Sequence, residues 1–331
     1  MRCRFILVAT ILISTAASAH HSGAEFDRER VIIIQGAVTQ FRWRNPHVYV
    51  VVKDSNDVEW LIETDATPIM RRSGWTRDSF APGDIVTVRA HPDRRAAKKH
   101  GLLRTIEGSD GVAMVSMNLM QGSNISDEAV AATSLAGVWT TGRSDTFAFM
   151  NGMRGHSLTP KGQEAQASFN ESMSPSIDCI AWPTPFLMAS NTFYLNAVEI
   201  RDDVVIIRSE FYDAQRTIYL DGRSHPDNGE RTVQGHSIGN WEGDTLVIDT
   251  TLFADHRAPV PNTGIPSGAA KHVVERLTLS DDGTTVQVDM LLEDPEYLSE
   301  PMTSTVVWHH VPHLEMLRVD CDPDVARQYL Q

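Results

Sequence analysis

The sequence predicts a mainly β protein built as two barrels in tandem. Three observations carry this. Short apolar or alternating runs recur along nearly the whole chain, with turn residues between them. Two segments alone read as helix. A polar, unpatterned stretch at 121–134 (QGSNISDEAVAATS) divides the chain and suits a linker. The 331 residues, 41% hydrophobic and 22% charged, are enough for two cores and exclude disordered, collagenous and coiled-coil classes.

Taken in order, residues 1–19 (MRCRFILVATILISTAASA) join a basic start at Arg2 and Arg4 to an apolar stretch, 5–12, too short to span a bilayer. They end in Ala17-Ser18-Ala19, a small-x-small cleavage site. This predicts a secretory signal peptide cut before His20, a periplasmic or secreted mature protein, and no membrane insertion. Cleavage leaves Cys179 and Cys321, and two cysteines in one exported chain predict a disulfide.

Region 20–120 holds β-like runs at 31–41, 48–53, 58–64, 85–90 and 102–106. Asp54-Ser55-Asn56-Asp57 and Pro82-Gly83-Asp84 supply turns. One helix is expected at 67–73, with Pro68 in its first turn. Five strands and one helix in so short a region predict a small five-stranded barrel of the oligonucleotide-binding (OB-like) shape. Region 135–331 is almost wholly β, with runs at 193–200, 204–211, 216–220, 233–238, 245–252, 272–279, 286–292, 303–309 and 314–319. Tight links such as Asp221-Gly222 and Glu242-Gly243-Asp244 make these an antiparallel meander. A helix at 160–169 precedes them, with Thr159 as its N-cap.

Two resemblances add to this reading. Ala19-His20-His21-Ser22, Trp43-Arg44-Asn45-Pro46-His47 and Arg71-Arg72-Ser73-Gly74-Trp75, followed by Pro82-Gly83-Asp84, resemble a family of uncharacterised bacterial exported proteins over 20–118. That resemblance implies export and no known activity. Gly137-Val138-Trp139 ahead of a meander is similar to the Gly-x-Trp signature of lipocalins, which implies a lipocalin-like β-barrel able to hold one small ligand. The run from Gly235 to Leu246 (GHSIGNWEGDTL) looks like a companion domain of similar exported proteins.

Charge narrows the function. Asp and Glu number 43 against 29 Lys and Arg, a formal charge of −14. Such a surface repels phosphate backbones and anionic lipid, which excludes nucleic acid as a partner. Gly235-His236-Ser237-Ile238-Gly239 matches the hydrolase pentapeptide, but an apolar β run follows it, where the nucleophile elbow needs a helix. Strand alternation puts Glu275 with Val273 and Leu277, Asp249 with Val247, and His236 with Ile238. If these faces turn inward, the barrel holds His236, Asp249 and Glu275 among apolar side chains, as acid and base. Cleavage before His20 would also expose an α-amine and an imidazole on one residue. With a third nitrogen from His21, His47 or His91, the set suits copper.

Three functions follow. The first is a periplasmic barrel that binds a small, mostly apolar molecule and acts on it as a cofactor-independent lyase, isomerase or hydratase. The second is a copper-binding protein with His20 as primary ligand. The third is a non-catalytic envelope interaction module. The sequence carries no signal for oligomeric state.

Overall fold

The computed structural model describes residues 26–115, 130–170, 173–189, 194–256 and 263–327. The leader reading, His20, His21 and most of the expected linker lie outside them.

The first barrel is made of β1 (Ile32–Arg42), β2 (Tyr49–Asp54), β3 (Glu59–Glu63), β4 (Ile85–Pro92) and β5 (His100–Glu107). The strand order is β3-β2-β1-β4-β5, and parallel pairing of β3 with β5 closes the ring. Strand β1 is long because it pairs with two neighbours in succession, and it bends around the barrel. At Gly36 the backbones come so close that a Cβ would meet the Lys53 carbonyl at 2.1 Å, so only glycine fits there. Val50, Val52, Ile62, Val88 and Ile106 fill the centre, all essentially inaccessible to water. Helix α1 (Thr67–Arg72) follows β3 and carries Pro68 in its first turn, as expected. A sixth strand, β6 (Ala113–Val115), was not legible in the sequence. It adds to β5, and its Val115 carbonyl accepts the Trp75 indole N–H at 3.1 Å.

The second barrel closes nine strands: β7 (Gly137–Thr141), β8 (Asn196–Ile200), β9 (Val204–Ser209), β10 (Gln215–Tyr219), β11 (His236–Glu242), β12 (Thr245–Thr251), β13 (His272–Leu279), β14 (Thr285–Glu293) and β15 (Met302–His310). β15 pairs back onto β7. The lipocalin-like antiparallel run holds for every neighbouring pair but one. β10 and β11 are parallel, with Ile218 opposite Ser237, so residues 220–235 must cross over instead of turning tightly.

Helix α2 (Arg143–Arg154) follows β7 and packs on β15. It buries Thr146, Phe149 and Met153 alone, too sparse a stripe to show in the sequence. Helix α3 (Pro160–Ser168) begins as expected, the Thr159 hydroxyl accepting the Gly162 N–H at 3.1 Å. A short α4 (Phe186–Ala189) and α5 (Pro323–Arg327) complete the elements. Trp139, Trp308, Phe149, Phe186, Phe253 and Met153 pack together as one core. The two indole N–H groups are satisfied by the Leu135 and Met188 carbonyls, at 2.9 and 3.1 Å.

Residues 314–319, expected as a strand, form none. Their backbone donors are taken by side-chain carboxylates before any sheet can use them. Leu317 N donates to Glu210 Oε1 at 2.7 Å, Val319 N to Asp213 Oδ1 at 2.9 Å, and Asp320 N to Asp213 Oδ2 at 3.0 Å. The first barrel grips the same tail. Arg72 of α1 pairs with the buried Glu210 and donates to the Glu315 carbonyl at 3.2 Å, while the Asn45 amide donates to the Val319 carbonyl.

The Cys179–Cys321 disulfide is formed, with Cα atoms 5.8 Å apart. It spans a sequence separation of 142 residues. On the chain-entropy model, closing so long a loop stabilises the fold by about 5 kcal/mol. Replacing both cysteines by Ser should therefore lower the unfolding free energy from urea titration by an amount of that order and move the midpoint to lower urea, and an unshifted midpoint would show that the tail is held without the bridge.

Candidate functional site

The outer wall of the second barrel carries a row of ionisable groups across four adjacent strands. In β12, Leu246, Ile248 and Thr250 turn inward, so Val247, Asp249 and Thr251 turn outward. His272, at the start of β13, sits directly opposite Glu293, at the end of β14. Asp249 pairs with Val274, which puts it diagonal to His272. His236 pairs with Thr251 and is diagonal to Asp249 on the other side. His225, from the 220–235 crossover, closes the row.

The result is one hydrogen-bonded chain: His236, His225, Asp249, His272, Glu293. His225 Nδ1 lies 2.8 Å from His236 Nδ1, and His225 Nε2 lies 2.9 Å from Asp249 Oδ1. His272 Nε2 lies 2.9 Å from Asp249 Oδ2, and His272 Nδ1 lies 2.9 Å from Glu293 Oε2. The network assigns the protons. His225 donates from Nε2 to Asp249, so in its neutral form it accepts at Nδ1. His236 must then donate from Nδ1, which leaves its lone pair on Nε2. His272 faces a carboxylate at each nitrogen and donates from both, as an imidazolium.

Electrostatics agree with this assignment. Burial holds the His236 pKa below its ordinary value, and the nearby His225 and Arg223 add to the effect. For His272 burial opposes charging, but hydrogen bonds to Asp249 and Glu293 outweigh it and raise its pKa. For Asp249 burial favours the neutral acid, yet the two histidine donors prevail and keep it ionised. The Tyr219 ring stacks on His236 with centroids 5.3 Å apart, and the Arg223 guanidinium lies 3.9 Å over Tyr219. Asp221 holds Arg223 there, and its own carboxyl is drawn down to about 2 by that guanidinium.

This placement corrects the expected interior trio. Glu275 does point inward, with no exposed surface, but His236 and Asp249 are on the opposite face of the wall. Both faces of β12 carry aliphatic residues, so alternation alone does not reveal which is inside. On β11 it is Ser237 that turns inward. Its hydroxyl meets Thr250 at 2.9 Å and accepts from Arg216 at 3.2 Å, and no helix follows it. Ser237 is thus a core hydroxyl and no nucleophile elbow is formed. Glu275 is neutralised by the buried Arg216, which also donates to Thr250 at 3.1 Å. Among the described residues, Glu275 Oε1 and Arg216 Nη1 have no hydrogen-bond partners.

Lys271, just before β13, is also interior, with 2% of its surface exposed. Its ammonium donates to the Thr184 carbonyl at 2.8 Å and lies 3.8 Å from the Phe253 ring. Burial pushes its pKa down to about 7, with Arg216 helping and Asp294 and Glu275 opposing. The gap beside it, between Met153, Phe186, Leu292 and Leu298, has no room for a water molecule. Two hollows among the described residues lie elsewhere, one against α1 and the C-terminal tail and one beside α3.

Of the expected copper ligands, His47 and His91 are described. His47 Nδ1 lies 2.8 Å from the Thr64 carbonyl and 3.3 Å from Glu63 Oε1. His91 is buried, its Nδ1 2.8 Å from the Arg30 carbonyl. Among the described residues no group of three or more His, Cys, Asp or Glu is arranged to hold a metal ion.

His225, His272 and Glu293 escaped the sequence reading. His225 lies in an unpatterned loop (SHPDNG), where no periodicity marks it. His272 and Glu293 stand at strand ends, and their pairing depends on a register that hydropathy alone does not reveal.

Comparison with known proteins adds one family. Residues 9–104 match the model of a family of unknown function (DUF6152), less than a third of the chain. No curated protein matches. Among solved structures, a point mutant of the fluorescent protein UnaG is similar at 12% identity and a TM-score of 0.25, over 53% of this chain and 95% of that one. A luciferase domain from the dinoflagellate Lingulodinium polyedrum is similar at 11% identity and a TM-score of 0.24, over 59% of this chain and 46% of that one. Likeness at this level carries no argument about activity. No helix of the described residues is long and apolar enough to cross a membrane.

Lys271 yields a stability prediction. Its folded pKa of about 7 lies below the usual 10.5, so the native state binds fewer protons than the unfolded chain between those values. Stability gained from this group therefore rises with pH over that window and is lost below it. Lys271→Met should stabilise the protein at pH 6.5 by on the order of 3 kcal/mol, a gain that fades toward pH 10. Urea unfolding at both pH values checks this, and equal shifts at the two would contradict it.

Proposed function

We propose that the protein is an exported catalyst of acid–base chemistry on a small molecule, worked from the outer wall of its large barrel. The observation that supports this is the Asp249–His225–His236 chain, which ends in a neutral imidazole. His236 Nε2 takes the proton from the substrate. The positive charge that develops spreads through Nδ1 to His225 and is stabilised by the Asp249 carboxylate. His272 and Glu293 fix that carboxylate from behind. A base that returns the same proton to a second carbon serves an isomerase, one that gives it to the departing group serves a lyase, and one that takes a proton from water as its oxygen adds to a double bond, then gives that proton to the neighbouring carbon, serves a hydratase. Glu275 has no part, since the wall separates it from the relay. The leader sequence and the Cys179–Cys321 bridge support a periplasmic or secreted location.

The Kemp elimination of 5-nitrobenzisoxazole tests the base without knowledge of the natural substrate, because one proton abstraction completes it. The rate should rise with pH to a plateau, with its midpoint below the ordinary histidine value of 6.5. His236→Ala should lower the plateau by about 10²-fold, and Asp249→Asn by a smaller factor. A wild-type rate in His236→Ala would sink the assignment.

One observation favours a second reading, copper binding. His47 Nδ1 is held 2.8 Å from the Thr64 carbonyl, the kind of hydrogen bond that orients a metal-binding imidazole. With His20 and His21 this would complete a nitrogen site. Processed protein should then retain copper, and a form with one residue added before His20 should not. Equal copper in both forms ends this reading.

A further inference from the structure

A cleft of about 430 Å³ lies where α1 and the segment after β1 meet the C-terminal tail. Four arginines line it: Arg44 after β1, Arg71 on α1, Arg77 beyond α1, and Arg318 on the tail. This concentration stands out in a chain whose formal charge is −14. Trp43, Pro68, Leu317 and Val319 supply apolar surface. Two carboxylates face the same space. Asp322 lies 3.7 Å from Arg44, and Asp320 lies 3.1 Å from Arg318. Arg71 and Arg77 are exposed and make no ion pair among the described residues. The cleft therefore carries two guanidinium groups in excess of its own acids.

The walls are rigid for a surface feature. The Leu317, Val319 and Asp320 N–H groups are fixed by Glu210 and Asp213, and Asn45 binds the Val319 carbonyl. Asn45 Oδ1 in turn accepts the Thr67 N–H at 2.8 Å, which ties α1 to the tail. Cys321, between the two acidic lining residues, is bridged to Cys179. A site built this way loses little conformational freedom on binding, and planar guanidinium forks match carboxylate and phosphate oxygens in pairs.

We propose that this cleft binds a small organic polyanion, one that carries at least two carboxylate or phosphate groups on a compact body. Arg71 and Arg77 supply the primary charge. Arg44 and Arg318 turn from Asp322 and Asp320 to the ligand when it enters. The proposal is independent of the relay on the other barrel.

Isothermal titration of the full-length processed protein with citrate, and separately with inorganic pyrophosphate, tests it. Binding of either is expected at low ionic strength and should weaken as salt rises. The responding probe distinguishes carboxylate from phosphate recognition. Arg71→Gln with Arg77→Gln should weaken binding at least tenfold, with the melting temperature unchanged. Arg154→Gln, a charge loss on α2 away from the cleft, should leave binding as it was. Asp322→Asn should strengthen it by releasing Arg44. No heat with either anion, or equal affinity in the double variant, overturns the proposal.

Discussion

A closed barrel allows each strand residue two positions, within the wall or outside it, and that restriction organises this molecule. Along β12 it sends Leu246, Ile248 and Thr250 into the core and Asp249 into the relay. Along β13 it sends Glu275 inward to Arg216 and leaves His272 outside. Two ionic systems thus sit back to back across one strand layer without sharing a proton path. The inner one pairs the buried Glu275 with the buried Arg216. The outer one is half-buried, and there burial holds the His236 imidazole below its ordinary pKa.

Glu210 plays the corresponding part between the barrels. It is almost fully buried and satisfies the Leu195 N–H, the Leu317 N–H and the Arg72 guanidinium together. A carboxylate stripped of water is tolerable only with such a set of donors. Because those donors come from α1, from the segment before β8 and from the C-terminal tail, satisfying one buried charge also fixes how three distant stretches of chain meet.

Much of this architecture could be read from residue patterns. The two barrels, the helices after Pro68 and Thr159, and the cysteine pair follow from periodicity, caps and compartment, all of which are local or compositional. The relay was half legible. His236 and Asp249 stood out as ionisable groups on patterned strands, but their face did not, because Val247 is as apolar as the residues that turn inward. His225 depends on the parallel β10–β11 pairing, a long-range choice that no local signal records. The run at 314–319 misled for a related reason. Its alternation is strand-like, yet Glu210 and Asp213 capture its donors, and a hydropathy pattern cannot show which acceptor wins.

The crossover at 220–235 divides the labour of the relay between two kinds of backbone. Four members are rooted in a woven wall, while the fifth, His225, rides on a crossover that is tied back by a bridge from Thr232 to Phe253. Lengthening, shortening or repositioning that crossover would detach the terminal imidazole from its carboxylate and leave the barrel standing. The position of His225 is thus set by the crossover, and the positions of the other four by strand register.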